Sequence, residues 1–448
     1  MKLSLKTFAT IFGAFGLATV RSGDTRSSVR RMFGALLGCL VTLSIWGGSS
    51  WAQTPARPVS VPARPVTPTR EVWRAAMLRT PLTKQGCFTA SYPAVEWKET
   101  ACTPAPDRGQ IPVPPPKRYV RKQGNTEQVG NGNDISAEVS GHIASAIGSF
   151  PKITDVTSIT SSNTGSIADS FSLQLNSNYY RTAMCNSSPL HSSSCSGWTQ
   201  FLLVNSINGG NVYMEDWLIG YGRPCPATWK NAPTGFSDDC YFDTRSTPIN
   251  GQTAANLEGM SLKGTATLNG MDTAVIIAAN GDPLGAMSYP DSLLNLSQGW
   301  KIAEFNIFGY GNGVEATING GASIIVAVQV DDGTTDEPTA VNEGFTGETN
   351  NLTLVFPACR YGGLTSSIIF KESDRVPSSF ICPKANDPCP GLASLITFDQ
   401  EQLANDRSRL ATSFCRGQAL LLCTNKIKAD SVALAAAEAE RQKACPAK

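Results

Sequence analysis

The chain has 448 residues, of which 41% are hydrophobic and only 16% are charged. This balance excludes a highly charged disordered chain and leaves enough apolar residues for one large domain or two smaller ones. Lys and Arg total 37 against 36 Asp and Glu, so the charge gives no case for binding nucleic acid. There are two histidines, His142 and His191, and no HExxH motif, so we expect no metal site and no cofactor.

An export signal is predicted over residues 1–52. A basic stretch precedes an apolar run over 33–46 and a small-residue segment that ends at Ala52, which is the pattern of a secretory signal peptide. The residues before it indicate either an unusually long basic region or a translation start at Met32, which we favour. Cys39 offers a lipoprotein alternative, but the apolar run continues past it. No later stretch reaches about 20 apolar residues. We therefore expect a secreted, periplasmic or cell-surface protein with no transmembrane segment in the mature chain.

Twelve cysteines remain after the signal, an even number that predicts disulfide pairing in an exported chain. No CxxC motif occurs, which leaves zinc ribbons and thioredoxin-type redox sites without support. Three pairs lie close in sequence and are expected to be local bridges: Cys87 with Cys102, Cys185 with Cys195, and Cys225 with Cys240. The pairing of the remaining six stays open: Cys359, Cys382, Cys389, Cys415, Cys423 and Cys445.

Composition divides the mature chain into four parts. Residues 53–80 begin with a near-repeat of Pro-Ala-Arg-Pro-Val and predict a proline-rich spacer. Residues 81–128 hold a small disulfide loop and a second proline-rich run. Residues 129–380 are expected to form the large domain. In residues 381–448, apolar residues at helical spacing and an alanine-rich stretch predict a small helical C-terminal module stapled by cysteines.

Short apolar or alternating runs recur through the large domain and are bounded by turn residues. Asn208-Gly209-Gly210 and Asn319-Gly320-Gly321 provide residues for turns with positive φ. The pattern predicts an all-β fold, a large two-sheet sandwich of the lectin-like jelly-roll kind. The runs are 170–176, 200–205, 212–219, 262–268, 273–278, 302–308, 323–330 and 352–356.

Seven passages together resemble a family of secreted bacterial and some fungal proteins. The resemblance spans about residues 87–360; it implies secretion and a β-rich domain and brings no assigned chemistry. The passages are Ser91-Tyr-Pro-Ala-Val-Glu-Trp97, Val129-Gly-Asn-Gly-Asn-Asp134, Leu173-Gln-Leu-Asn-Ser-Asn178, Gly197-Trp-Thr-Gln-Phe201, Trp217-Leu-Ile-Gly-Tyr-Gly222 with Cys225-Pro226, Glu304-Phe-Asn-Ile-Phe308, and Phe345-Thr-Gly-Glu-Thr-Asn-Asn-Leu352.

Carboxylates are the candidates for catalysis, because no GxSxG elbow is present and neither histidine has a triad context. Glu304 and Glu215 each lie inside an apolar strand-like run, and Gln200 does likewise. A carboxylate in a partly apolar groove can act as a general base at mildly acid pH, and a paired Gln can stabilise an oxyanion. In the alternative interpretation these residues lie on the solvent face of their strands. Alternation places Glu304 on the face opposite Phe305, which is expected to point into the core.

Aromatic residues support a second hypothesis, in which exposed rings stack on sugars. The candidates are Trp198, Trp217, Tyr221 and Trp229, although large aromatics in a sandwich are more often core residues. Residues 331–337 hold oxygen ligands of the kind that Ca²⁺ prefers, without EF-hand spacing, and a solvated turn is the favoured interpretation.

The sequence leaves three candidate functions. The first is a secreted or surface-associated β-sandwich protein that binds a glycan or a protein without catalysis. The second is a carboxylate-based hydrolase, either a glutamic-type peptidase or a glycosidase. The third is a structural component of the cell envelope.

Overall fold

The computed structural model describes residues 69–382, except 107–133, 233–237, 279–283, 342–349, 375–379 and short gaps at 162–163, 165–166, 192, 312–313 and 364–365. Within this part the chain is mostly β, with two large antiparallel sheets that pack face to face as a sandwich. A further small pair joins β5 (Ile159–Ser161) to β16 (Ala316–Ile318). Short 3₁₀ helices cover Ala183–Ser187, Ala254–Gly259, Asp291–Leu293 and Leu296–Gln298.

Sheet I contains nine strands from both ends of the described chain. In spatial order they are β19 (Thr353–Tyr361), β20 (Ser367–Ser373), β17 (Ser323–Asp331), β4 (Ser145–Thr154), β12 (Ser261–Thr265), β13 (Met271–Ile277), β14 (Leu284–Pro290), β1 (Gly86–Ala90) and β2 (Lys98–Thr100).

Sheet II contains the longest hairpin of the described chain. In spatial order its strands are β18 (Thr339–Val341), β3 (Ser136–Glu138), β15 (Ile302–Phe308), β6 (Phe171–Asn176), β7 (Ser196–Ser206), β8 (Gly209–Ile219), β10 (Cys240–Asp243) and β9 (Lys230–Asn231), and β11 (Thr247–Ile249) also pairs with β8. The turn between β7 and β8 falls at Ile207-Asn208, at the start of the segment 208–210 that the sequence predicts to turn, and Gly209, the first residue of β8, has a φ of +151°.

Two phenylalanines of sheet II fit against glycines of sheet I and so fix the spacing between the sheets. A Cβ added at Gly148 of β4 would lie 1.9 Å from the ring of Phe305, and one added at Gly264 of β12 would lie 2.5 Å from the ring of Phe201. Since no side chain fits there, only glycine lets the rings approach this closely. Phe305 therefore points into the core, as alternation predicts.

A helix covers part of the other face of sheet I. Helix α1 (Arg70–Arg79) begins after Thr69, whose side chain accepts a hydrogen bond from the backbone N–H of Val72. Trp73 and Met77, one turn apart, are fully buried against Ala90, Ile277 and Leu284. The structure thus differs from the division expected for residues 53–128: part of the expected spacer is a packed helix. Strands β1 and β2 extend the sandwich to sequence before residue 129.

All three local disulfides are confirmed. Cys87–Cys102, Cys185–Cys195 and Cys225–Cys240 are paired, and a fourth bridge joins Cys359 to Cys382. Cys389, Cys415, Cys423 and Cys445, with the predicted helical module, lie outside the described residues, as does the predicted signal. The finer assignment to a jelly roll stays a prediction. None of the described helices has the length and apolarity needed to cross a bilayer.

Candidate active site

Four polar residues form one row across sheet II, the Glu304 row: Glu304, Asn176, Gln200 and Glu215. Glu304 on β15 lies opposite Asn176 on β6, and Asn176 lies opposite Gln200 on β7. Gln200 in turn lies opposite Glu215 on β8. Directly opposed residues point to the same face of a sheet, and the residues that follow Glu304 and Gln200 are the two core phenylalanines. The row therefore lies on the face turned away from sheet I, and all four side chains are fully buried.

Hydrogen bonds join the row into one network. The carboxamide of Asn176 lies between its neighbours: its Nδ2 donates to Glu304 Oε2 at 2.9 Å, and its Oδ1 accepts from Gln200 Nε2 at 3.2 Å. Gln200 Nε2 also donates to Gln174 Oε1 at 2.9 Å. A single side chain thus bridges the two residues for which the sequence predicts a catalytic pairing, Glu304 and Gln200.

Trp217 links the other end of the row. Its indole Nε1–H donates to Gln200 Oε1 at 3.1 Å and to Glu215 Oε1 at 2.9 Å. The ring stacks on Tyr241 with centroids 5.1 Å apart and packs against Trp198 at 6.3 Å. Because these rings hold the indole in place, its N–H orients the carboxamide of Gln200.

Two further carboxyl groups meet beside the row, and we call Asp134 and Glu372 the carboxyl pair. Asn306, two residues after Glu304 on β15, donates from Nδ2 to Asp134 Oδ1 and, at 2.7 Å, to Glu372 Oε1. Asn350 Nδ2 donates to Glu372 Oε2 at 3.0 Å. Asp134 precedes β3 and Glu372 belongs to β20, so residues far apart in sequence converge here.

Burial shifts the titration of the carboxyl pair. It raises the pKa of Asp134 from 3.8 to about 7, although hydrogen bonds with Asn306, Glu304 and Glu372 favour the charged form. Burial also raises the pKa of Glu372 well above its usual value, and the nearby charge of Asp134 adds to this. A hydrogen bond between two carboxyl groups requires a proton on one of them. The carboxyl pair therefore shares a proton, and the hydrogen bond raises the pKa of Glu372 while it lowers that of Asp134.

A second buried acid lies directly behind the row, on the core face of the same hairpin. Thr199 donates to Asp216 Oδ1 at 2.6 Å, and its hydroxyl lies 3.0 Å from the hydroxyl of Tyr180. Burial raises the pKa of Asp216 to about 7. Since these residues are sequence neighbours of Gln200 and Glu215, both faces of the hairpin carry hydrogen-bonded polar groups at this position.

The aromatic candidates for sugar binding do not form an exposed platform. Trp198 and Trp217 are fully buried in one cluster with Tyr241, and Tyr221 and Trp229 belong to the main core. The hydroxyl of Tyr221 donates to the backbone carbonyl of Ser187. Stacking on a sugar requires an exposed ring face, which none of the four candidates offers in this structure.

The sequence predicts Glu304, Glu215 and Gln200 as candidates and misses the groups that connect them in the structure. Asn176, Asp134 and Glu372 carry no catalytic signature, since each gains its place through strand pairing. The sequence nonetheless held one indication of these positions, in the passages that resemble the secreted family. Six of the seven passages that resemble the secreted family contribute a side chain to the network: Asp134, Asn176, Gln200, Trp217, Glu304 and Asn350.

The acidic turn at 331–337 is held by its own hydrogen bonds. Gly333 N donates to Asp331 Oδ1, and Thr334 donates to Asp332 Oδ1. Across the described ranges, no three His, Cys, Asp or Glu side chains are grouped as metal ligands.

The comparisons with known proteins assign no family to this chain. No family model matches the chain, and no curated protein matches it. A crystal structure of scytalido-glutamic peptidase with a peptide-based transition-state analogue is similar over 56% of this chain and 97% of that chain, with 12% sequence identity and a TM-score of 0.24. At this TM-score the likeness supports neither a shared site nor a shared chemistry.

Proposed function

We propose that this protein is a hydrolase that cleaves peptide bonds at acidic pH with the Glu304 carboxyl group and the Gln200 carboxamide. The observation that supports this is the bridge through Asn176, which holds the two groups on either side of one side chain. The four disulfides fit an extracellular protein.

Each group has a defined task in peptide hydrolysis. Ionised Glu304 removes a proton from a water molecule as the water adds to the scissile carbonyl carbon. The N–H of Gln200 donates to the oxyanion that forms. Glu304 then returns the proton to the leaving nitrogen as the C–N bond breaks, so the carboxylate is regenerated. Asp134 forms a hydrogen bond with Glu304 and so keeps a second carboxyl group next to it during this cycle.

The arrangement favours acyl over glycosyl transfer. Glycosidases use two carboxyl groups about 5–10 Å apart. The backbones of Glu304 and Glu215 are three strand spacings apart, or about 14 Å, with two carboxamides between them. A carboxamide N–H can donate to the negative oxygen that develops when a carbonyl group is attacked. The oxocarbenium-like transition state of glycosyl transfer is positively charged and has no such oxygen.

The test is cleavage of quenched-fluorescent peptide mixtures by the full chain between pH 3 and pH 7. Because the row is fully buried, substrate must gain access to this face, and the reaction is followed for hours after acidification. We expect hydrolysis with an acidic optimum. Glu304→Gln should lower the rate at least about 1,000-fold with little change in melting temperature, since it keeps the shape and removes the titrating group.

Glu258→Gln is the matched control. Glu258 is exposed and forms an ion pair with Lys152, so its substitution should leave the rate unchanged. If the parent protein cleaves no peptide at any pH in this range, or if Glu304→Gln cleaves as fast as the parent, the proposal is wrong. The alternative of a binding protein without catalysis predicts the first of these results.

A further inference from the structure

The outer face of sheet I, which is turned away from sheet II, differs between its two halves. Helix α1 covers the half formed by β13, β14 and β1, where Trp73 and Met77 pack against the strands. The other half is formed by β4, β17, β20 and β19. An antiparallel sheet face that is left to water carries polar residues at its outward positions. The centre of the second half is instead apolar, which suits a face that another element covers.

Strand register brings the apolar outward side chains of this half together. Ala327 on β17 lies opposite Ile369 on β20, which in turn lies opposite Cys359 on β19. Ile325 and Tyr361 each lie two residues from this row, on β17 and β19, and so point to the same face. Ile325, Ile369 and Tyr361 pack around the buried Cys359 and are themselves only half-buried. We call the surface formed by Ile325, Ala327, Ile369 and Tyr361 the Ile369 face.

The chain leaves the described structure at this face. Phe380 is buried in the same cluster, and its backbone N–H donates to the carbonyl of Phe356 on β19 at 3.0 Å. The bridge from Cys359 to Cys382 then ties the last described residue to the strand next to Ile369. Phe356 and Ile381, close to this bridge, are 59% and 85% exposed. The C-terminal tail, residues 383–448, therefore begins beside the Ile369 face.

The sequence of the C-terminal tail suits this surface. Leu395, Phe398, Leu403 and Leu410 recur at helical spacing, which predicts a helix with one apolar side. A segment shorter than about 70 residues rarely buries enough apolar surface by itself. The tether through Cys382 also raises the effective concentration of the tail at the face where it starts. Docking within the chain is therefore favoured over binding of a separate partner.

We propose that the C-terminal tail docks on the Ile369 face through the apolar side of this predicted helix. It would then cover the half of sheet I that helix α1 leaves open. This inference is independent of the proposed peptide cleavage, because the Ile369 face and the Glu304 row share no residue.

Photo-cross-linking of the full, oxidised chain tests the proposal. The reagent couples to lysine at one end and, on illumination, inserts at the other end into any chain segment nearby. Lys152 and Lys371 lie opposite Ile325 on its two sides and so flank the Ile369 face. We expect mass spectrometry to find both linked to residues 395–410. Lys230, on β9 at an edge of sheet II, should give no such link.

Two variants, one on each side of the contact, should disrupt docking. Ile369→Asp should lower the yield of these links at least about 10-fold, because the docked state would bury an unpaired carboxylate. Leu403→Asp should have the same effect, and it leaves the sandwich unchanged, so misfolding of the sandwich cannot produce it. Ile207→Asp is the matched control. Ile207 is a 51% exposed residue at the turn between β7 and β8, and its substitution should leave the yield as in the parent.

A mixture of unlabelled and isotope-labelled protein identifies the occupant of the face. Links within one copy carry a single label, as we expect, whereas links that join both labels would show that a second copy occupies the face and would overturn the proposal. It would also be overturned if neither Lys152 nor Lys371 is linked to residues 395–410, or if Ile369→Asp and Leu403→Asp both keep the parent yield. None of these measurements depends on peptide cleavage.

Discussion

The face of sheet II that carries the Glu304 row and the face of sheet I that carries helix α1 bury polar groups in different ways. On sheet II, strand register places carboxyl and carboxamide side chains opposite each other, and they satisfy one another across four strands. On sheet I, Lys263 stands beside Val275 and reaches a helix-end carbonyl instead. The first arrangement joins side chains to one another, whereas the second joins one side chain to the backbone at the end of a helix. In this sandwich a buried polar residue is therefore satisfied either by its cross-strand neighbours or by a helix end.

The largest expected difference between the faces is in pH dependence, because the acids lie on and behind the Glu304 row. Asp134 has a pKa of about 7 in the folded state and 3.8 without burial. Between these pH values the folded state binds more protons than the unfolded state, so the free energy of unfolding falls as pH rises. From pH 4 to pH 7, this shift should account for a loss of about 3 kcal/mol. Urea unfolding of the oxidised protein at pH 4, 5.5 and 7 measures this loss.

Asp134→Asn should remove the part of that dependence that comes from Asp134, since Asn keeps an acceptor for Asn306 and does not titrate. Asp216 shifts in the same direction, so some slope remains in the variant. Glu258→Gln, an exposed substitution, should retain the parent slope. Equal slopes for Asp134→Asn and the parent would show that the carboxyl pair does not hold protons at neutral pH.

A change in the core between the faces should have the next largest effect. Gly148→Ala places a Cβ where the ring of Phe305 lies, and Phe305 is bonded to Glu304. The ring must move away from β4, which should lower the free energy of unfolding by about 3 kcal/mol, at the upper end of overpacking costs. Thermal and urea unfolding measure the loss, and peptide cleavage should fall with it because Glu304 moves.

Gly320→Ala is the matched control for this substitution. The nearest atom to its added Cβ is Asp374 Oδ2 at 3.7 Å, an ordinary contact. It should change stability by less than about 1 kcal/mol. If Gly148→Ala is as stable as this control, the two sheets are not held at the spacing that the structure shows.

Local sequence signals predict the strands of this fold better than they predict its site. The runs at 302–308 and 323–330 match β15 and β17 almost residue for residue, because each is an apolar segment between turn residues. The apolar pattern does not predict strand β4, since Gly148 and Pro151 interrupt the run of apolar residues. Helix α1 was missed because the prolines before it dominated the composition of the segment expected to be a spacer.

Local sequence likewise predicts one part of the site and not the other. The two-residue turn at Ile207-Asn208 sets the register of β7 and β8, so the pairing of Gln200 with Glu215 follows from local sequence. The pairing of Glu304 with Asn176 joins positions 128 residues apart, and no local pattern sets it. Alternation correctly predicts that Glu304 points away from the core between the two sheets. The side chain is buried all the same, because this face of sheet II is covered as well. Period-two patterns assign a face and leave open what lies above it.

The smallest expected effect concerns one hydrogen-bond donor. Trp217→Phe keeps an aromatic ring on Tyr241 and removes the indole N–H that donates to Gln200 and Glu215. Loss of this donor should cost about 1–2 kcal/mol of stability. It should also remove the donor that orients the carbonyl oxygen of Gln200, so kcat for peptide cleavage should fall about 10-fold while KM changes little.

Trp198→Phe separates this orienting role from packing. Trp198 belongs to the same aromatic cluster, but its Nε1–H donates to the backbone carbonyl of Ser177 at 2.8 Å instead of to a residue of the row. Both variants lose a similar ring volume and one indole donor, so their melting temperatures should fall by similar amounts. Only Trp217→Phe should lower kcat, because only Trp217 holds the Gln200 carbonyl oxygen. An equal fall in kcat for both variants would mean that the cluster supports the row through packing and that the indole of Trp217 does not orient Gln200.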